Sequence, residues 1–254
     1  MLSPAIPCHY QDTDIKMESM LVRHLGALRC AIRSLEIYYQ EYSANPSSLR
    51  NPTHPYPTSF TSGDGSVSFQ YLLKMKDRNL FFGRMDDINS TAICIKFVTR
   101  YCKEGHEFLA AKGLAPNLHA VERLPGGLYM VVMDDVSGEY VSLFDFKLVR
   151  DNVDLLSEVA RNCLSEKVRQ RLQQFHQAGF VHGDIRDTNI MVKRVGFNDG
   201  SFLVVDYDSC GKIEQVRYPL NLNTTSVKRP EGATGGAVIE VGHDLEMLDR
   251  IWDP

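Results

Sequence analysis

The sequence contains no C-x-x-C pair; its 6 cysteines, Cys8, Cys30, Cys94, Cys102, Cys163 and Cys210, are scattered over 254 residues. That spacing excludes a zinc ribbon and is too sparse for a disulfide scaffold, so reduced thiols are expected. No apolar run approaches the roughly 18–20 residues that span a bilayer. The start, Met1-Leu2-Ser3-Pro4 with Asp12 and Asp14 soon after, has neither the basic opening nor the apolar stretch of a signal peptide. A soluble intracellular protein is expected, cytoplasmic or nuclear. A basic excess is missing as well: 28 Lys plus Arg stand against 32 Asp plus Glu, a net charge of −4. With no global positive field and no basic, aromatic-interleaved stretch, neither nucleic acid nor an anionic membrane is an expected partner, and a phosphate-bearing ligand must be held by a local site. Internal repeats and low-complexity tracts do not occur. What is there, 43% apolar and 24% charged residues, suffices for a core in one large domain or two packed lobes.

Met20, Leu21, Leu25, Leu28, Ile32, Leu35 and Tyr39 recur at three- and four-residue intervals. They predict an amphipathic helix over 14–42, within a first segment 1–44, read as docking on its own domain. Pro46, Pro52, Pro55 and Pro57 among Ser, Thr and Gly predict a linker over 45–66. Stretches 67–73, 80–85 and 92–98 read as an antiparallel meander, followed by a helix over 101–112 ending at Gly113 and a buried strand over 128–133. Together they make a first lobe, 67–133. The second lobe, 134–254, is predicted to hold helices over 151–163 and 166–178. A strand pair, 190–192 and 202–205, flanks the turn Asn198-Asp199-Gly200. An irregular surface stretch over 219–236 precedes a last helix over 241–252.

The polar residues concentrate in Val181-His182-Gly183-Asp184-Ile185-Arg186-Asp187-Thr188-Asn189, and in Asp206-Tyr207-Asp208 after the next strand. This order puts Asp184, Asn189 and Asp206 at one rim of a strand pair. Three oxygen side chains suit a hard cation, and magnesium on nucleotide phosphates needs only one or two carboxylates plus an amide oxygen. Asn189 and Asp206 suit that ion. Asp184 suits orienting an attacking hydroxyl and accepting its proton.

This pattern resembles the kinase catalytic loop followed by the metal-binding Asp motif, with Gly183 in the second position as in small-molecule and atypical kinases. The chain is similar to the protein-kinase-like superfamily. The resemblance implies an α+β, two-lobed fold with a small antiparallel-sheet N-lobe and a short, mostly helical C-lobe. It implies ATP and Mg2+ as ligands and phosphoryl transfer as the activity. Lys96, in Ile93-Cys94-Ile95-Lys96-Phe97, would hold the phosphates, paired with Glu104 or, in reserve, Glu107. Asp184 would be the base, and Arg186 stands where many kinases carry the catalytic-loop Lys. Met133 and Asp134 would border the nucleotide, Asn189 and Asp206 the metal, with Asp208 assisting. Asp244, in His243-Asp244, would brace the catalytic loop from beneath.

The joint order of Lys96-Phe97-Val98, Gly113-Leu114-Ala115-Pro116, Met130-Val131-Val132-Met133-Asp134, His182-Gly183-Asp184 and Arg217-Tyr218-Pro219 resembles kinase-like domains of fungal proteins, including crinkler-type ones, over about 56–252. That resemblance implies a protein Ser/Thr hydroxyl as acceptor. A small-molecule kinase of aminoglycoside- or choline-kinase type shares the H-G-D loop and Asp208. The phosphate-covering G-x-G-x-x-G is missing, replaced by Lys74-Met75-Lys76-Asp77-Arg78-Asn79, which together with a short second lobe makes a nucleotide-binding or scaffolding pseudokinase the alternative. His106, His176 and His182 are expected as packed structural residues, and Cys94 and Cys210 as small hydrophobes.

Overall fold

The computed structural model describes residues 15–44 and 55–253, apart from 64, 77, 153, 196, 198 and 199. It divides into two units, 1–56 and 57–254. The first contains α1 (Ile15–Ala44). Among the described residues, no helix is long and apolar enough to cross a membrane.

The second unit opens with an antiparallel sheet of β1 (Ser59–Ser62), β2 (Gly65–Lys74), β3 (Leu80–Met85), β4 (Ala92–Val98), β5 (Leu118–Arg123) and β6 (Tyr129–Asp134). Their spatial order is β1-β2-β3-β4-β6-β5. β4 sits centrally because Ala-Ile-Cys-Ile-Lys-Phe-Val is β-branched and apolar on both faces, as a doubly covered strand requires. Phe60, Phe69, Phe81, Ile93, Ile95, Phe97, Met130 and Val132 form the core of this lobe. β1 lies inside the segment read as linker, and its Phe60 is buried. β5 is a further strand that the sequence reading leaves out.

α2 (Lys103–Ala110) connects β4 to β5, yet its Cys102 and Leu109 belong to the core of the second lobe. Phe108 packs on Phe175 and Phe180, with centroids 5.8 and 6.2 Å away. The second lobe contains β7 (Tyr140–Ser142), α3 (Leu143–Leu148), two 3-10 turns, α4 (Glu158–Gln177), β8 (Phe180–Val181), β9 (Ile190–Lys193), β10 (Phe202–Val204), β11 (Gly211–Lys212) and α5 (Val241–Asp249). α3 and α4 start at Ser142 and Ser157, whose hydroxyls accept from the Asp145 and Ala160 amides. α4 is one helix where two are expected. No Gly or Pro interrupts it, and Leu164, Val168, Leu172 and Phe175 keep one face buried throughout. Residues 150–156 form the 3-10 turns instead of a helix. β9 and β10 pair antiparallel, with Phe202 opposite Val192; Asn198 and Asp199 of their expected turn lie outside the described residues. The stretch 219–236 has no regular element, but it is not merely surface: its Ala233 and Leu222 pack with Val181, Tyr218 and Ile239. Unit 57–254 is thus α+β, an antiparallel-sheet lobe followed by one that holds the remaining helices.

His106 of α2 is fully buried and stacks on Tyr207 at 4.5 Å. Nε2 is 2.8 Å from the Pro116 carbonyl, which can only accept, so Nε2 carries the proton. Nδ1 then accepts from the Tyr101 hydroxyl at 2.6 Å. Burial pushes the pKa of this neutral ring down to about 4, against the opposing pull of the Pro116 carbonyl. In the unfolded chain a His takes its proton near ~6.5. The unfolded state therefore binds the proton first as pH falls. Stability complete above pH ~6.5 is lost toward pH ~4, by about 3 kcal/mol. Melting curves between pH 7 and 4 should show a shallower pH dependence in His106→Gln than in wild type; parallel curves would contradict this assignment.

Candidate active site

Lys96 lies on β4 opposite Leu80 of β3 and Val131 of β6. Its Nζ donates to Asp206 Oδ1 at 2.5 Å and to Asp208 Oδ1 at 2.7 Å. This corrects the expected pairing with Glu104 or Glu107. α2 turns Gly105, His106 and Leu109 inward, which leaves Glu104 and Glu107 on the exposed side. Glu107 instead meets Lys103 at 3.7 Å. Burial works against the Lys96 ammonium, but Asp206 and Asp208 outweigh it and raise its pKa. Burial likewise works against charge on Asp206, and Lys96 reverses that, holding this carboxyl below its ordinary range. For Asp208, burial and then the neighbouring Asp206 charge push the pKa up to about 6. One cation is thus shared by two carboxylates that compete for it.

The backbone of this acidic loop is itself constrained. Asp206 has φ +75°, a left-handed conformation uncommon outside glycine. It is held by Val205 N donating to the Asn189 carbonyl at 3.0 Å, and by Cys102 N donating to the Tyr207 carbonyl at 3.2 Å. Arg100 adds bonds from Nε to the Asp208 carbonyl at 2.5 Å and from Nη1 to the Arg217 carbonyl at 2.6 Å.

The second cluster is the loop between β8 and β9. Gly183 has φ +76°, and a Cβ there would come 2.7 Å from Ile239 Cδ1, so only glycine fits. Beneath it lies Asp244 of α5, fully buried. Its Oδ2 accepts from His182 N at 2.8 Å and His176 Nε2 at 2.9 Å, and its Oδ1 from Gly183 N at 2.7 Å. Asp184 is buried one residue further on. Its Oδ2 accepts from Asn189 Nδ2 at 2.7 Å and Arg186 Nε at 3.1 Å. Arg229 Nη1 stands 2.8 Å from Oδ1 at ion-pair distance, without the alignment of a hydrogen bond. Oδ1 is accordingly buried with no hydrogen-bond donor among the described residues. Asn189 spends its amide N–H on Asp184, leaving Oδ1 with the Thr188 hydroxyl at 3.4 Å. His182 Nε2, 3.2 Å from the Val205 carbonyl, ties this loop to the acidic one. The loop bearing Asp184 and Asn189 thereby abuts the loop that holds Lys96.

Arg229 is a further residue at this loop, beyond those the motifs point to. It stands in the irregular 219–236 stretch without a motif, yet it is buried, donates to the Gly183 carbonyl at 3.2 Å and lies over the Tyr218 ring. Met133, next to last on β6, is half-buried opposite Cys94. The Asp134 carboxylate is engaged by His119 Nε2 at 2.6 Å and Asn117 Nδ2 at 2.7 Å. The turn between β2 and β3 borders the Lys96 strand, since Phe97 N donates to the Asn79 carbonyl at 3.0 Å.

Asp206 and Asp208, both held on Lys96, and the Asn189 amide of the adjoining loop offer hard oxygen donors. Among the described residues no three His, Cys, Asp or Glu gather into a closed metal cage. A magnesium ion held largely by phosphate and water does not need one, so the donor chemistry fits that ion.

No protein-family model matches the chain. Sequence comparison finds the serine/threonine-protein kinase 1 of African swine fever virus, from a Pretoriuskop tick isolate and a Namibian warthog isolate. Each is 21% identical over 188 residues, 68% of this chain and 59% of the viral protein. The chain is similar to viral serine/threonine protein kinases. It spans about three-fifths of the length of these relatives. Among solved structures, the granulovirus kinase PK-1 of Cydia pomonella granulovirus matches with a TM-score of 0.46 and 20% identity, over 57% of this chain and 53% of the viral one.

Proposed function

We propose that residues 57–254 form a protein-kinase-like phosphotransferase using ATP and magnesium. The observation that carries this reading is the meeting of Lys96, Asp206 and Asp208 with the Asp184–Asn189 loop through His182 and Val205. In this reading Lys96 exchanges its two carboxylates for nucleotide phosphates when ATP enters, and Asp206 and Asn189 hold the metal. Bound there, magnesium would neutralise charge on the phosphates. Asp184 Oδ1, buried and paired only with the Arg229 guanidinium among the described residues, is the acceptor position for the proton of an incoming hydroxyl. Arg186, held on the other carboxylate oxygen, would neutralise charge on the transferring phosphoryl group. Asp244 acts through the loop amides as a positioning residue. Catalysis would rest on placement and electrostatics.

The acceptor in this reading is a protein Ser or Thr hydroxyl, supported by the similarity to viral serine/threonine kinases and by the crinkler-type motif order. A second reading, a nucleotide-binding module that transfers nothing, is favoured by Arg229 pressed against Asp184 and by the missing glycine-rich loop. Incubation with γ-labelled ATP, magnesium and general protein acceptors distinguishes them. Label on Ser or Thr supports the first reading. Label only on small hydroxylated molecules moves the acceptor class, and no label despite nucleotide binding selects the second reading.

A further inference from the structure

Leu21, Leu25, Leu28, Ile32, Leu35 and Tyr39 of α1 follow one another at alternating steps of four and three residues. A mean step of 3.5 keeps these six in register along one seam, the repeat of a left-handed coiled coil. Four of these side chains, Leu25, Leu28, Ile32 and Leu35, are 56%, 56%, 48% and 53% exposed. Ile32, Leu35, Glu36 and Tyr39, at i, i+3, i+4 and i+7, border a shallow hollow. Four residues so spaced make the hole that receives one side chain of a facing helix.

We infer that α1 pairs with α1 of a second copy of this chain as an antiparallel coiled coil. The direction follows from the residues flanking the seam. With Leu25, Ile32 and Tyr39 at a and Leu21, Leu28 and Leu35 at d, the e positions are Val22, Arg29 and Glu36, and the g positions His24, Ala31 and Tyr38. Parallel helices would set g against the following e: His24 against Arg29 and Ala31 against Glu36, with no attraction in either. Antiparallel helices set e against e and g against g. Arg29 then faces Glu36 of the second copy, and Glu36 faces its Arg29, giving two opposite-charge pairs per dimer. In the same register the small Ala31 faces the large Tyr38, and Ile32 sits opposite Leu35, entering the hollow that Leu35 borders. The pairing is independent of the kinase reading, because its residues all lie in unit 1–56.

Light scattering on the full chain over a dilution series tests it. The expected mass is twice the 28.7 kDa of one chain, falling toward one chain on dilution, and Leu28→Glu with Ile32→Glu should leave a monomer with its melting transition retained. Arg29→Glu or Glu36→Arg alone should raise the dissociation constant about tenfold, and the two together should return it toward wild type. A monomer at every concentration, a dimer indifferent to the Leu28/Ile32 change, or charge swaps that fail to rescue one another would overturn the inference.

Discussion

Asp184→Asn lowers phosphate transfer by about 10²- to 10⁴-fold, the range that a positioned proton acceptor contributes. The amide cannot take up the proton of an acceptor hydroxyl, while its oxygen still accepts from Asn189 and Arg186 where Oδ2 now does. Nucleotide binding through Lys96 and Asp206 should persist. The change also leaves Arg229 without its carboxylate, and stripping one partner from a buried pair costs roughly 3–5 kcal/mol. The Arg229 bond to the Gly183 carbonyl limits that loss. Asp184→Asn with Arg229→Gln removes charge from both sides and should recover the melting temperature without recovering transfer. Transfer at wild-type rate in folded Asp184→Asn would remove Asp184 from the reaction.

The largest loss of stability is expected at Asp244. Replacement by alanine orphans the amides of His182 and Gly183 and the His176 ring N–H, all of them inside the lobe. Each buried donor left unsatisfied costs about 1–3 kcal/mol, so a total near ~4 kcal/mol and a melting temperature lower by roughly 10 °C follow for a unit of this size. Asp244→Asn keeps one accepting oxygen and should fall between. Because the amides it holds belong to the loop of Asp184, transfer should fall in Asp244→Asn even below its melting transition. An Asp244→Ala protein melting within ~2 °C of wild type would show that the bracing contributes little.

Most of the elements were legible because their periods are clean. β4 reads as a buried strand from its β-branched run, and α1 as a helix from its three-and-four spacing. Elements without a strong period were not. β5, Leu-His-Ala-Val-Glu-Arg, is short, partly polar and at the sheet edge, where pairing with β6 decides its conformation. β1 lies in a Pro- and Ser-rich stretch where composition argues for a linker, yet Phe60 finds a place in the core. At the site, the acidic and amide residues stand close in sequence and could be grouped from their spacing. The partner of Lys96 could not: Glu104 and Asp206 are both plausible from chemistry, and the choice depends on how α2 is rotated. Arg229 has no sequence signal, since its pairing arises only when an irregular stretch folds back onto the loop of Asp184.

Whether Lys96 and Asp206 serve a single nucleotide is tested most directly by Mg-ATP titration followed by thermal melting. Selective binding to the folded state raises the melting temperature by mass action, about 2.7 kcal/mol at a hundredfold excess over the dissociation constant. A rise of several degrees in wild type, lost or much reduced in both Lys96→Met and Asp206→Ala, is the predicted result. Equal rises in all three proteins, or none in wild type at any concentration, would contradict it.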